Sequence, residues 1–379
     1  MLSGVALRPV LENWLKFRNG KSSPRRTDDG AFPVYGSNGI IGRSAVSNVS
    51  EQCIVIGRVG SYCGSCYFVP SACWVTDNAI ICQPEDPAET RYWYYVLSSL
   101  NLNDRRVGSG QPLLNQSILN SIEFDAPAKS DRLAISATLG ALDDKIESNR
   151  RQIAVMEELL SLEFQNLQVK ESVQRLPLSQ LTIITKGVSY RSADLKASRT
   201  SLVTLKSFAR TGGYKPEGLK PYSGPYKLSQ VIKPGEVVIA QTDLTQGAEV
   251  VGRAVRVPSD HTADTLVASL DLAIIRPTDV ISNEYLLGIL TDETFRQYCR
   301  SRTSGTTVLH LSGDAIPTYL APMVSADAQE RFAKLARPLV ARTDSLGREV
   351  VELSNIRDVL LPELLSGRIR VSEAQETVA

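Results

Sequence analysis

Histidine is almost missing from this chain. Among 379 residues only His261 and His310 are imidazoles, and they lie far apart. That leaves little for His-based acid–base catalysis or a His-rich metal site, so both are read as structural or exposed. Aromatics make up 6%, and no charge sign dominates: 42 Lys+Arg face 41 Asp+Glu, a net charge of +1 that names no partner. No apolar run approaches the roughly 18 residues of a membrane helix. Met1 to Trp14 is interrupted by Arg8, Pro9 and Glu12 and has no secretory apolar stretch. The phosphate-cradling GxxxxGK(S/T) and dinucleotide-binding GxGxxG patterns are missing. So are the Asp-Pro-Pro-Tyr and Asn-Pro-Pro-Tyr strings of amino-methyltransferases; the nearest, Asp125-Ala-Pro-Ala128, lacks the paired prolines and the aromatic. These absences argue against an enzyme and for a soluble cytosolic protein. At roughly 150 residues per domain the length predicts two or three domains.

Six Cys in a chain this long do not form a disulfide framework. Cys53, Cys63, Cys66, Cys73 and Cys82 lie within 30 residues, and Cys63-Gly-Ser-Cys66 has CxxC spacing. A structural zinc site uses two such close pairs. With one pair only, buried free thiols are the expected fate, and no metal is assigned.

What is present is a repeat, the first thing to seek in a chain of this length. Gly110-Gln-Pro-Leu-Leu-Asn115 lies 195 residues before Gly305-Thr-Thr-Val-Leu-His310, and Ala126-Pro127 falls on Ala321-Pro322 at the same offset. Upstream, Arg8-Pro9-Val10-Leu11 is similar to Leu176-Pro177-Leu178-Ser179 at an offset of 168, so the second copy carries 27 extra residues between these landmarks. Between them both copies hold Val/Ile-rich strand-like runs, Cys53 to Val59 and Ala79 to Cys82, then Glu236 to Ala240 and Leu270 to Ile275, separated by Gly, Ser, Asn and Pro.

Each copy ends in a helical pattern. Ile135, Leu139, Leu142, Ile146, Asn149, Ile153, Met156, Leu160, Glu163 and Leu167 alternate in steps of four and three; so do Phe332, Ala336, Leu339, Thr343, Leu346, Val350, Leu353, Arg357, Leu360 and Leu364. Such a seam over four heptads predicts a coiled coil, with helices about 60 Å long. Asn149 falls on the seam, where a buried amide fixes register. Pro338 predicts a kink or restart near the beginning of the second helix, and Gly367 a stop. The fold class is therefore α/β (α+β): two globular domains in tandem, near 1–125 and 171–325, separated by antiparallel helices at 126–170 and 326–370, with a tail at 371–379. Domains at the two ends of an antiparallel helix pair suit one long ligand touched twice at a fixed spacing, and duplex DNA is the obvious one.

Charge placement agrees. Arg175 to Lys233 holds 11 basic residues and two acids, Asp194 and Glu217; Arg8 to Arg43 holds seven basic residues and three acids. Tyr190, Tyr214, Tyr222 and Tyr226 are interleaved with the second window. Lys and Arg position a protein on phosphates, while base-edge contacts specify sequence.

Five strings in order around this repeat resemble the specificity subunit of type I restriction-modification systems: Pro33-Val-Tyr-Gly-Ser-Asn-Gly-Ile-Ile-Gly42, Gly57-Arg-Val-Gly-Ser61, Gly108-Ser-Gly-Gln-Pro112, Leu142-Asp-Asp-Lys-Ile-Glu-Ser-Asn-Arg-Arg151 and Leu360-Leu-Pro-Glu-Leu-Leu-Ser-Gly367. The resemblance implies a non-catalytic subunit with two target recognition domains, each reading one half of a split, asymmetric double-stranded DNA site in a restriction system of phage defence. It implies two modification (methyltransferase) subunits held on the helices, binding S-adenosylmethionine and methylating adenine. A restriction subunit using ATP and magnesium can join. This chain itself is expected to hold no cofactor.

The candidate DNA-binding residues follow. In the first copy they are Arg18, Lys21, Arg25 and Arg26 for phosphates, Tyr35, Ser37 and Asn38 in a Gly-rich turn, Arg58, and Ser109 with Gln111 in the shared Gly loop. In the second they are Ser304 and Thr306 in that same loop, with Lys186, Tyr190, Arg191, Lys206 and Gln241. This last group is favoured for specificity, because residues that recognise different bases should differ between copies. Asp143, Asp144, Glu147, Arg150 and Arg151 lie off the seam and suit partner binding or mere solvation. The rival readings are a repeat scaffold that does not bind DNA and an enzyme built on the Cys cluster.

Overall fold

The computed structural model describes residues 8–107, 113–209, 213–245, 247–258 and 263–371. The chain divides into two compact units, 1–148 with 350–379 and 149–349. Both divisions fall inside long helices, so each unit contains one globular domain and part of both helices. The architecture is mixed α/β, as expected.

In the first unit the strands are β1 (Leu15–Asn19), β2 (Phe32–Gly36), β3 (Gly39–Ser44), β4 (Cys53–Gly57), β5 (Cys66–Val69), β6 (Trp74–Val75) and β7 (Ala79–Pro84), followed by α1 (Thr90–Ser99), α2 (Gln116–Asn120) and α3 (Lys129–Lys170). One antiparallel sheet has the order β1-β7-β4-β5, and a smaller one β3-β2-β6, with β2 and β6 parallel. Successive side chains point to opposite faces of a strand. Thus Ile54, Ile56, Ile80 and Cys82 pack toward Tyr92, Trp93 and Val96 of α1, while Cys53, Val55, Ala79 and Ile81 pack toward Tyr35 and Val75 of the smaller sheet. Burial on both faces is why these strands read as unbroken apolar runs.

The second unit continues with β8 (Gln174–Pro177), α4 (Leu178–Leu181), β9 (Thr182–Lys186), β10 (Thr200–Val203), β11 (Lys220–Pro221), β12 (Val231–Ile232), β13 (Val237–Ala240), β14 (Thr242–Asp243), β15 (Ala254–Arg256), β16 (Thr265–Ala268) and β17 (Leu272–Pro277). After these come α5 (Asn283–Thr291), α6 (Glu293–Ser301), β18 (Thr303–Ser304), β19 (Leu309–Leu311), α7 (Ala315–Thr318), β20 (Leu320–Met323) and α8 (Ala326–Leu365). The central sheet, β15-β13-β17-β9, has the order of the first domain's sheet run from the other end. A second sheet, β11-β10-β16-β12, again contains one parallel pair, β10 with β16.

The backbone hydrogen bonds correct the sequence alignment by one or two residues. Leu11 N–H donates to Ile122 O and Leu178 N–H to Tyr319 O, both at 2.9 Å, which makes the first offset 167 rather than 168. Val107 and Val59 both bridge to Leu113, as Ser304 and Thr242 pair with His310, so the later offset is 197 rather than 195. The largest part of the extra sequence lies between β10 and β13, where the first copy has only the tight β2–β3 hairpin and the run to β4.

Both predicted helices are present. Within the first unit the start of α3 meets the end of α8: Ile135, Leu139, Leu142, Leu360 and Leu364 share one core, and Arg357 Nη1 donates to Asp143 at 3.0 Å. Within the second the end of α3 meets the start of α8: the Phe164 and Phe332 rings stand 5.8 Å apart and Arg331 pairs with Glu171. In each unit the pairing is therefore antiparallel. Phe164, 1% exposed, takes the seam position assigned to Glu163. A ring that packs on Tyr285 at 5.2 Å outweighs the strict heptad count. Asn149 is fully buried as predicted, but neither its amide nitrogen nor its oxygen has a hydrogen-bond partner. Pro338 does not restart the helix: α8 runs through it, with Pro338 exposed. Gly367 ends it with φ +70°.

Candidate nucleic-acid interface

In the first domain four candidate residues converge on one short segment, Val75–Asn78, which turns the chain from β6 into β7. Lys21 N–H donates to Val75 O at 3.0 Å, and Thr76 N–H donates to Tyr35 O at 2.9 Å. Ser37 Oγ donates to Asn78 O at 2.5 Å, and Arg58 N–H donates to the same oxygen at 2.9 Å. Arg58 Nη1 adds a bond to Asp77 O at 3.3 Å.

The surroundings sort these residues by role. Tyr35 is only 8% exposed, and burial beside Cys73 and Cys53 pushes its hydroxyl up to about 12. Its ring lies in the core 6.4 Å from that of Tyr67, so this candidate DNA-binding side chain is placed beneath the surface. The Ser37 hydroxyl is fully engaged, donating to Asn78 O and accepting from Val59 N–H at 3.2 Å, and so pins the hairpin tip to the strand exit. Asn38, beside it in the two-residue connection, is exposed, and Gly39 takes φ +78° to close that turn. Arg18, Lys21 and Arg25 are exposed; Arg26 is exposed too, with Nη1 donating to Ile41 O at 2.9 Å. Ser109 and Gln111 lie outside the described residues, as does His261.

The second domain builds the same hub from different residues. Val188 N–H donates to Ala268 O at 2.8 Å, Ser269 N–H to Val203 O at 3.0 Å and Gln241 N–H to Asp271 O at 2.7 Å. The equivalent of Lys21 is thus buried Val188, and that of Tyr35 is buried Val203. Gln241 is half-buried, while Ser304 and His310, paired on adjacent strands, are exposed, as is Thr306. Lys186 and Arg191 are exposed; Tyr190 is half-buried, with the Lys220 ammonium 5.7 Å above its ring. Lys206 stands exposed on the long insertion after β10, whose start is braced by Thr204 Oγ1 donating to Gly218 O at 3.1 Å. Much of the basic window is therefore an addition specific to the second copy.

The sequence reading missed the hub. Its signal was the pair of polar turns Thr76-Asp-Asn78 and Ser269-Leu-Asp271, each just ahead of an apolar strand. It also missed Gly20 and Gly187, where a Cβ would run into the carbonyl oxygens of Val75 and Thr76 or of Ala268 and Ser269.

The cysteines divide across the first domain's central sheet. Cys53 and Cys73 lie in the core on one side, Cys63 and Cys82 in the core on the other with Cys66 against it; all are free thiols. Burial pushes the Cys66 thiol up to about 12. Among the described residues no group of three His, Cys, Asp or Glu is placed to hold a metal ion. Of the helix residues considered for partner binding, Asp143 accepts from Tyr95 and Arg357, and Asp144 is held bidentately by Arg91 at 2.7 and 2.9 Å. Both serve the first unit's own packing.

Residues 14–158 match the family described as type I restriction modification DNA specificity domain. The chain is 24% identical over 119 residues to the EcoprrI specificity subunit of Escherichia coli, a match that covers 31% of this chain and 30% of that protein. It is 22% identical over 327 residues to the MjaIX specificity subunit of Methanocaldococcus jannaschii, covering 76% and 71%. In fold it is similar to the crystal structure of a type I system S subunit from M. genitalium, with a TM-score of 0.63 at 16% identity, covering 96% and 97%. These matches bear out the resemblance. Among the described residues no helix is long and apolar enough to cross a membrane.

Proposed function

From its similarity to type I restriction-modification specificity subunits, we propose that the chain is the non-catalytic DNA-reading and assembly subunit of a cytoplasmic complex. Each domain reads one half of a split, asymmetric duplex site. Helices α3 and α8 hold two modification subunits, which supply S-adenosylmethionine and methylate adenine; a restriction subunit would bring ATP and magnesium. The observation that carries this reading is the hub built twice: one backbone frame carrying different side chains in the two copies, Lys21 against Val188 and Arg58 against Gln241, as two half-sites require. Docking is supported by Val155, Leu159 and Leu162 on α3, 63%, 41% and 51% exposed and spaced to share one helix face.

The test is a genome-wide map of methylated adenines in cells with and without this chain beside an active modification subunit. A two-part motif with a fixed gap, lost on deletion, is expected. An unchanged map would favour a scaffold that does not bind DNA.

A further inference from the structure

Arg58 and Gln241 occupy one and the same position in the two domains. Each is the first residue after the central strand, β4 or β13. Each donates its N–H to the turn entering the next strand, Asn78 O at 2.9 Å or Asp271 O at 2.7 Å. Each accepts at its carbonyl from a leucine, Leu114 at 3.0 Å or Leu311 at 2.8 Å. With both backbone groups committed identically, the frame is satisfied without the side chain, and the side chain is what differs.

The two side chains differ in kind. Arg58 carries a planar fork of donors, and Gln241 an amide with one donor group and one acceptor. A fork of donors matches the O6 and N7 acceptors of guanine in the major groove; a terminal amide matches the N6 donor and N7 acceptor of adenine. A phosphate contact carries no sequence information and gives no reason for a charged fork in one copy and a neutral amide in the other. Both side chains are half-buried, so their flanks limit where they point. Among the described residues Arg58 is anchored through Nη1, which donates to Asp77 O at 3.3 Å, and its buried Nε has no partner. On the proposed DNA-reading function, we propose that Arg58 reads a guanine in the first domain's half-site and that Gln241 reads an adenine in the second's, from one point of the repeated fold.

The test uses the full chain in complex with its modification subunits. Arg58→Gln is expected to change one guanine to adenine in one half of the methylated motif. Gln241→Arg is expected to change one adenine to guanine in the other half. Each should weaken binding to the original duplex roughly 10- to 100-fold. A variant that methylates the original motif unchanged overturns the assignment. If a variant methylates nothing, the wild-type complex decides, by binding to duplexes carrying, one position at a time, deaza analogues that lack N7. One guanine in one half-site and one adenine in the other should then show the loss, and absence of either overturns the proposal. A wild-type complex with no two-part motif would instead overturn the DNA-reading function on which the proposal rests.

Discussion

Gly20 and Gly187 close the same corner of the two domains. Each follows the first strand of its central sheet and lies against a pair of backbone oxygens that cannot retreat, because the hub's other hydrogen bonds hold them. Gly20→Ala and Gly187→Ala should each destabilise the protein by about 1–3 kcal/mol, since the new methyl must displace backbone rather than a side chain. Gly347, inside α8 with nothing near its missing Cβ, is the control: alanine there should stabilise by roughly 0.5–1 kcal/mol. Urea unfolding of the three variants measures this, and a Gly20→Ala variant as stable as wild type would refute the close approach. At this scale the sequence was only partly legible. It showed that Ser37 stands in a Gly-rich turn, but not that its hydroxyl is spent on Asn78, 41 residues downstream. Composition around a turn tells which residues are polar, whereas their partners are set by tertiary folding. The same gap put Tyr35 among the DNA-binding candidates when its ring packs inside.

Elements were far more legible, because their signals are periodic. The two long helices and the Val/Ile strands are where the apolar spacing put them. The departures have local causes, such as Phe164 displacing Glu163 from the seam. Loops carry no period, and the one after β14 shows what orders them instead. Asp243, 2% exposed, accepts from Val250 N–H at 2.6 Å, from Thr245 N–H and hydroxyl at 2.8 Å each, and from Val251 N–H at 3.2 Å. Burial alone would raise its carboxyl, but these four donors outweigh it and hold the group below the ordinary aspartate range. A carboxyl depressed on folding stabilises fully above its unfolded value, about 3.9, and that contribution disappears as pH falls through the lower folded value. Asp243→Asn should therefore lower stability at neutral pH by roughly 1–3 kcal/mol and flatten the loss of stability below about pH 4. Denaturation midpoints measured against pH test this; parallel acid profiles for variant and wild type would show that Asp243 is not the ordering charge. Leu244, 71% exposed beside it, should become more mobile in the variant.

On the proposed function the repeat makes recognition divisible, and the strand pairing shows where to divide it. The second domain opens on β8 and closes on β20, which pair from Leu320 with Pro177 to Met323 with Gln174, so the points where it enters and leaves lie side by side. The first domain closes the same way through Val10 and Glu123. A domain whose ends meet can be replaced without redirecting the chain. Exchanging 171–325 for the equivalent segment of a relative should therefore change one half of the methylated motif and leave the other half unaltered. The exchange separates two kinds of contact. Phosphate contacts carry no sequence information but set the salt dependence of binding. Removing exposed Lys215 and Lys227 from the second domain's insertion should thus weaken binding to every duplex about equally and reduce the salt slope by about one per residue that touches phosphate. The motif should stay the same. If the exchange altered both halves of the motif, the domains would not read independently, and if the lysine variants changed the motif, the insertion would be reading bases rather than holding the backbone.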